Sequence, residues 1–274
     1  MFRGELAGGS LIRAPVRSFF CGKGNGLASR RSFAIHRAQM SSLDPVEGLI
    51  WYFVFVYSTV LHEAGHAWAA LRLGDDTAYR GGQVSLDPTP HIKREPLGMV
   101  LVPILSWFLN NGNSMIGWAS APYNPDWARR YPRRSAWMAM AGPAANIAII
   151  LGASLLIHVG LEWGVFAVPP SADFTHIVDA PEGAKLWQFF ATLLSITFSL
   201  QVVLIPLNLL PLPPLDGSAI PLFFLSESAA AKYQEMLWNP TLRFIGMIVV
   251  FQTFGKILPA IFHFALHLLY PHAY

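Results

Sequence analysis

Charged side chains are scarce in this sequence: only 13% of its 274 residues are Asp, Glu, Lys or Arg. A soluble domain carries about twice that fraction. The scarcity excludes an ordinary water-facing globule. Cysteine is nearly absent as well. Cys21 stands alone, which excludes an internal disulfide framework and a Cys-rich zinc site. Any bound metal must then be held by His and carboxylate. Positive charge is in small excess, 19 basic against 16 acidic residues. Much of that excess lies in the first forty residues and in short loops, so it does not read as a nucleic-acid surface. There is no internal repeat, low-complexity tract or appended soluble domain.

What the chain has instead is apolar length. Residues 135–160 and 186–212 are uncharged throughout. Each run exceeds the roughly 20 residues that cross a bilayer. A third apolar region, 244–269, is interrupted by Lys256 and Pro259 and reads as one kinked helix or two short ones. The first membrane helix is expected over about 46–73, ended by Gly74-Asp75-Asp76. Residues 97–109 are mostly apolar with Pro103 in the middle. Thirteen residues are short for a span and suit a re-entrant or interfacial segment. The polar stretch before them, 75–95, contains Gln83-Val84-Ser85-Leu86, a candidate short strand. Trp118, Tyr123, Trp127 and Tyr131 fit a headgroup-level aromatic belt. The expected class is an all-α polytopic membrane protein. Residues 1–39 carry seven Lys or Arg against the single acid Glu5. They read as a basic, disordered extension or translated upstream sequence, with an Arg- and Ser-rich targeting arm as the alternative, ahead of an integral membrane domain over 40–274.

The first helix carries the chemistry. His62-Glu63-Ala64-Gly65-His66 is an HExxH motif, and Glu63 is the only formally charged side chain between Gly48 and Leu71. Histidines four apart stand one above the other on a helix, so both imidazoles reach one metal ion. The glutamate between them is placed to take a proton from water at that metal. An ionisable residue at membrane depth is itself a functional-site hypothesis.

Loop charges orient the motif. Arg80, Lys93 and Arg94 lie in one loop, and Arg129, Arg130, Arg133 and Arg134 in another. If 97–109 is re-entrant, both loops lie on the cytoplasmic side and the Lys/Arg-free loop 161–184 lies outside. His62 and His66 then occupy the cytoplasmic half of the membrane. The span at 186–212 descends toward the same depth and delivers Asp216. That residue sits between a Pro-broken stretch and Gly217, and irregular backbone at this depth belongs beside protein or a watery cavity. Catalytic zinc needs three protein ligands and one open position, and Asp216 is the best third candidate. The alternative for Asp216 is an interfacial cap of the helix that follows.

Taken together, His62-Glu63-Ala-Gly-His66, Asn208-Leu-Leu-Pro211, Leu215-Asp216-Gly217 and Ala141-Gly142-Pro143-Ala-Ala-Asn146 resemble the site-2 protease family of intramembrane zinc metalloproteases. The resemblance covers about 61–217. It implies a three-helix zinc-binding catalytic core, within about 46–220, plus a re-entrant or β-like membrane-associated insertion and C-terminal helices. It implies one Zn2+ per chain on His62, His66 and Asp216, with Glu63 as general base. The chain resembles the minimal branch, with no room for an inserted PDZ or CBS domain. Asn146 is the first candidate for an oxyanion donor and Asn208 the second; the alternative for Asn146 is a packing residue of a kinked helix, bonded to a neighbouring helix. The implied substrates are transmembrane proteins cut in or near their membrane segments. The implied location is the bacterial inner membrane, with the lipid bilayer as the other partner and no nucleic acid.

The competing function is a membrane metal transporter or metal-binding protein, since His, Asp and Asn in helices also line ion pathways. Glu63 argues against it, because transport needs no general base. A prenyl-protein type of HExxH protease would use a glutamate as third ligand, and no comparable motif supplies one. His263 and His267 are also four apart but lack an adjacent acid, and read as interfacial or packing residues. His91 reads as a surface or gate residue, His158 and His176 as lying toward the outer face, and Trp107 and Trp118 as interface anchors.

Overall fold

The structure is a computed structural model that describes residues 43–273. The basic extension at 1–39 lies outside the described residues. The described chain is all-α, as expected of this class of membrane protein. Among the described residues the only β pairing is an isolated bridge between Ala167 and Asp179.

Helix α1, Pro45–Leu73, is the centre of the fold. It starts where the Asp44 carboxylate accepts the Val46 amide at 2.8 Å, with Pro45 in the first turn, where no amide is needed. It stops at Gly74, whose φ of 103° is left-handed and costs a glycine little. Around it stand α6 (Pro132–Glu162) and α7 (Lys185–Asn208), and α9 (Pro240–Leu269) closes one side. Helices α6, α7 and α9 are each long and apolar enough to cross a membrane. Helix α1 is as long but carries the polar motif. Protein covers that half of it, and Val60, Ala64, Ala67 and Ala70 are all buried. The α1–α6 crossing is close because Gly65 has no side chain: a Cβ there would lie 2.9 Å from the Ala141 carbonyl oxygen. The C-terminal apolar region forms one continuous helix through Pro259.

The insertion between α1 and α6 is helical and extended, with no strand. Residues 83–86 are irregular, with bends at 84–86, between α2 (Thr77–Arg80) and α3 (Pro88–Arg94). Asp87 caps α3 by accepting the Thr89 amide at 2.9 Å, and the segment has no neighbouring strand to pair with. His91 is not a surface residue. It is fully buried in α3, with Nε2 3.1 Å from the Ser85 carbonyl oxygen.

Helix α4, Leu97–Leu109, runs beside the first half of α1. Its far end reaches α1's beginning, where Trp107 packs on Gly48 and Gly112 lies against Leu43. Trp107 is therefore a core residue, not an interface anchor. The chain returns in extended form. The Ile116 amide donates to Ser106 Oγ at 2.8 Å, and the Trp118 amide donates to the Gly98 carbonyl at 3.1 Å. At the end of the return arm, the Asn124 amide donates to Asp75 just beyond α1. Both arms of this hairpin begin and end at the same end of α1, and its tip reaches α1's beginning. The following helix α5, Pro125–Arg130, docks there too, with Trp127 Nε1 and Arg134 Nη1 both donating to the Leu73 carbonyl. The two basic loops thus share one end of the molecule.

At the opposite end, 163–184 folds over α6, α7 and the end of α9. The Ile177 and Val178 amides donate to Ser195 Oγ on α7, and the Tyr270 hydroxyl donates to the Ile177 carbonyl at 3.0 Å. His176 lies in this loop, and His158 lies near Tyr270 at the same end. After α7 the chain returns through a cis Pro213–Pro214 bond into a short 3-10 helix, Asp216–Phe223. That helix packs on the start of α6 through Ala136, Ala219 and Leu222, joined by Ala230 of α8 (Glu227–Leu237).

Candidate metal centre and active site

The site forms where α1, α6 and the 3-10 helix meet. His62 and His66 project from α1 with their Nε2 atoms 3.0 Å apart. Asp216 Oδ2 lies 3.1 Å from His62 Nε2 and 3.4 Å from His66 Nε2. Tetrahedral bonds of 2.0–2.2 Å place neighbouring ligand atoms about 3.3–3.6 Å apart, so the triad is close to the spacing one small cation needs. Both histidines are buried, and Asp216 Oδ2 is a buried oxygen that faces the two imidazoles. A buried carboxylate oxygen is costly unless something positive meets it.

The surroundings prepare the imidazoles for a cation. His66 Nδ1 is 2.8 Å from the Met138 carbonyl oxygen on α6. Donating that proton leaves Nε2 with a lone pair toward the triad. Gly142, one turn further along α6, faces the pair directly. A Cβ there would overlap His66 Nε2 and lie 2.6 Å from His62 Nε2. The space in front of the imidazoles therefore depends on a glycine. Pro143 follows inside the helix and removes one backbone donor.

Glu63 is buried, and its carboxylate lies within 4.8 Å of both imidazoles. His62, Glu63 and His66 are the one His/Cys/Asp/Glu cluster of metal-binding shape among the described residues, and Asp216 joins it from across the fold. Asn146 is fully buried, and neither of its amide atoms has a hydrogen-bond partner. His62 Nδ1 is likewise buried without one.

A cavity of about 520 Å³ opens onto this triad. Its wall takes Trp118, Ser120 and Tyr123 from the return arm of the hairpin, Asn208 from the end of α7 and Arg243 from α9. Asn208 is on the wall and Asn146 is not. Glu95 also lines it, held by Ser120 Oγ, which donates to Glu95 Oε1 at 2.6 Å and accepts from Arg94 Nε. Sequence reasoning singled out neither Glu95 nor Arg243 for the site. Both sit in segments that read as loop or helix start, with no spacing that points to a cavity. His263 and His267 lie on exposed positions of α9, away from the cluster.

Over 199 residues the chain is 30% identical to "Putative zinc metalloprotease YwhC" of Bacillus subtilis, covering 72% of this chain and 78% of that protein. The chain belongs to the site-2 protease family. A second relative in this metalloprotease family is "Putative zinc metalloprotease Rip2" of Mycobacterium tuberculosis, 32% identical over 165 residues. That match covers 60% of this chain and 53% of Rip2, so the chain spans about half the length of that relative. No family model and no solved structure matches the chain.

Proposed function

We propose that the protein is an intramembrane zinc endopeptidase that hydrolyses peptide bonds in or near transmembrane segments of membrane proteins. One observation carries the reading: His62, His66 and Asp216 converge within 3.4 Å beside the Glu63 carboxylate, at the wall of a cavity in an all-α membrane protein. The names of the relatives support zinc as the metal. The donor set of two imidazoles and one carboxylate suits zinc and leaves its fourth position open.

In this mechanism His62, His66 and Asp216 hold the ion. Bound zinc supplies Lewis acidity toward water and the scissile carbonyl. Glu63 accepts a proton from the attacking water and returns it to the leaving amine. The Met138 carbonyl keeps His66 in the tautomer that presents Nε2. Asn208, on the cavity wall, donates to the developing oxyanion. Asn146 lies off that wall, which favours Asn208 for this role. The substrate must be locally unwound, because a regular helix hides its carbonyls. The shared end of the two basic loops supports a cytoplasmic-side active site in a bacterial inner membrane.

The test is hydrolysis of transmembrane peptides by purified protein in lipid, read by mass spectrometry. Wild-type protein is expected to cut, and Glu63→Gln protein to retain zinc and to cut at least about a hundredfold more slowly. Cleavage by Glu63→Gln at the wild-type rate would remove Glu63 from the mechanism. Zinc transport into vesicles without cleavage would replace the reading with the transporter.

A further inference from the structure

Helix α9 carries a lysine where a membrane helix can least accommodate one. At its first residues α9 lies against the metal-site end, where Gly246 packs on the Pro213 carbonyl. Its last residues, Leu266 and Leu269, are buried with Ile157 of α6 and Ala191 of α7 at the opposite end. The helix therefore crosses the same thickness as α6 and α7. Lys256 lies 16 residues from its start and 13 from its end, about 24 Å and about 20 Å along the axis. The hydrocarbon layer is about 30 Å thick, which puts Lys256 near its middle, beyond the reach of a snorkelling side chain.

Lys256 faces outward. Gly246, Val250 and Phe254 form the buried face of this part of α9, whereas Val249, Gln252, Lys256, Ala260 and His263 lie along an exposed one. Neighbouring Gly255 has nothing within 4 Å of where a Cβ would stand. Among the described residues Lys256 has no hydrogen-bond or ion-pair partner. An amine at this depth needs an acceptor, and lipid tails offer none. Lipid phosphates lie too far away. A second copy of this chain has no acid to offer at mid-span: 135–160, 186–212 and 240–269 contain none, and Glu63 is buried in the metal site.

We propose that the Gln252–Lys256–His263 face of α9 docks a transmembrane helix of another protein that carries an Asp or Glu near the middle of its span. The carboxylate pairs with Lys256, Gln252 adds a hydrogen bond one turn away, and Gly255 leaves room for close backbone approach. The inference rests on α9 crossing the membrane and is independent of the catalytic reading.

The experiment uses the full chain in lipid vesicles and a dye-labelled leucine-rich transmembrane peptide with one central Glu, read by energy transfer. Control peptides carry Leu or Gln at that position. Wild-type protein is expected to bind the Glu peptide about tenfold more tightly than the Leu peptide, a difference of about 1.4 kcal/mol. Lys256→Leu, which places a more apolar side chain in lipid and does not threaten folding, is expected to abolish the preference. Lys256→Arg is expected to keep it. Equal binding of Glu and Leu peptides by wild type, or a preference that survives Lys256→Leu, would overturn the proposal. So would self-association through this face with no preference for the Glu peptide, which would assign the face to a second copy.

Discussion

Gly142 stands against His66 so closely that a single added methyl would clash with the imidazole Nε2. The metal site is shaped as much by this missing side chain on α6 as by the histidines on α1. Gly142→Ala is expected to displace the His62–His66 pair and lower zinc affinity at least tenfold, in the range seen for loss of supporting groups around a metal. Zinc content per chain after equilibration with a competing chelator measures it. Gly152 on the same helix has open space around it, and Gly152→Ala is expected to leave zinc content unchanged.

Removing a ligand and removing the base should separate cleanly. Asp216→Ala takes away one of three donors, and full zinc retention by that variant would exclude Asp216 from the site. Glu63→Gln leaves the three donors in place. Its hydrolysis rate is expected to fall by about 10²–10⁴-fold or more, the contribution typical of a positioned proton acceptor, with zinc content near wild type.

The two asparagines make a third comparison. Asn208 lines the cavity, whereas Asn146 is fully buried with both amide atoms lacking partners. Asn208→Ala is expected to lower kcat about 10²–10³-fold with little change in zinc content, as for loss of an oxyanion donor. Asn146→Ala is expected to act on stability instead, read as a shift in thermal unfolding in detergent. A loss of kcat in Asn146→Ala, with Asn208→Ala unaffected, would exchange their roles.

The loop at the far end has its own pH dependence. The hydrogen bond that His176 donates to Asp173, with the nearby Asp179 and Glu47 charges, raises the His176 pKa above its ordinary value near 6.5. The same hydrogen bond from His176 holds the Asp173 carboxyl well below the usual carboxylate range. A raised histidine contributes stability that is present below its unfolded pKa and lost as pH rises through the folded one. A depressed carboxylate contributes stability that is lost only as pH falls through its lowered folded pKa. The pair is therefore intact through mildly acidic pH and weakens as the pH rises above about 6.5. Both groups are half exposed, so the effect is local. Limited proteolysis of 163–184 is expected to accelerate on going from pH 6 to pH 9, and Asp173→Asn to flatten that dependence.

Much of the architecture was legible in the sequence because membrane insertion is a matter of composition. Uncharged length defines a span whatever it later packs against, and the runs at 135–160 and 186–212 became α6 and α7. The spacing of His62 and His66 sufficed to put both on one helix face, since helical periodicity is local. Gln83-Val84-Ser85-Leu86 shows the limit. Its residues suit a strand, but a strand needs a neighbour, and none lies beside it. His91 and Trp107 read as surface or interface residues and are buried, because burial is decided by what folds over them.

The sequence by itself determined that this chain is helical, lies in a membrane and carries a His-Glu-His cluster on its first helix, all consequences of local pattern and apolar length. Only the tertiary structure decided the rest. It brought Asp216 to 3.1 Å from His62 across more than a hundred residues, set Gly142 against the imidazoles, chose Asn208 over Asn146 for the cavity wall and left Lys256 facing outward. Each depends on how two distant segments pack, and packing is a property of surfaces that meet in space, which no single stretch of sequence contains.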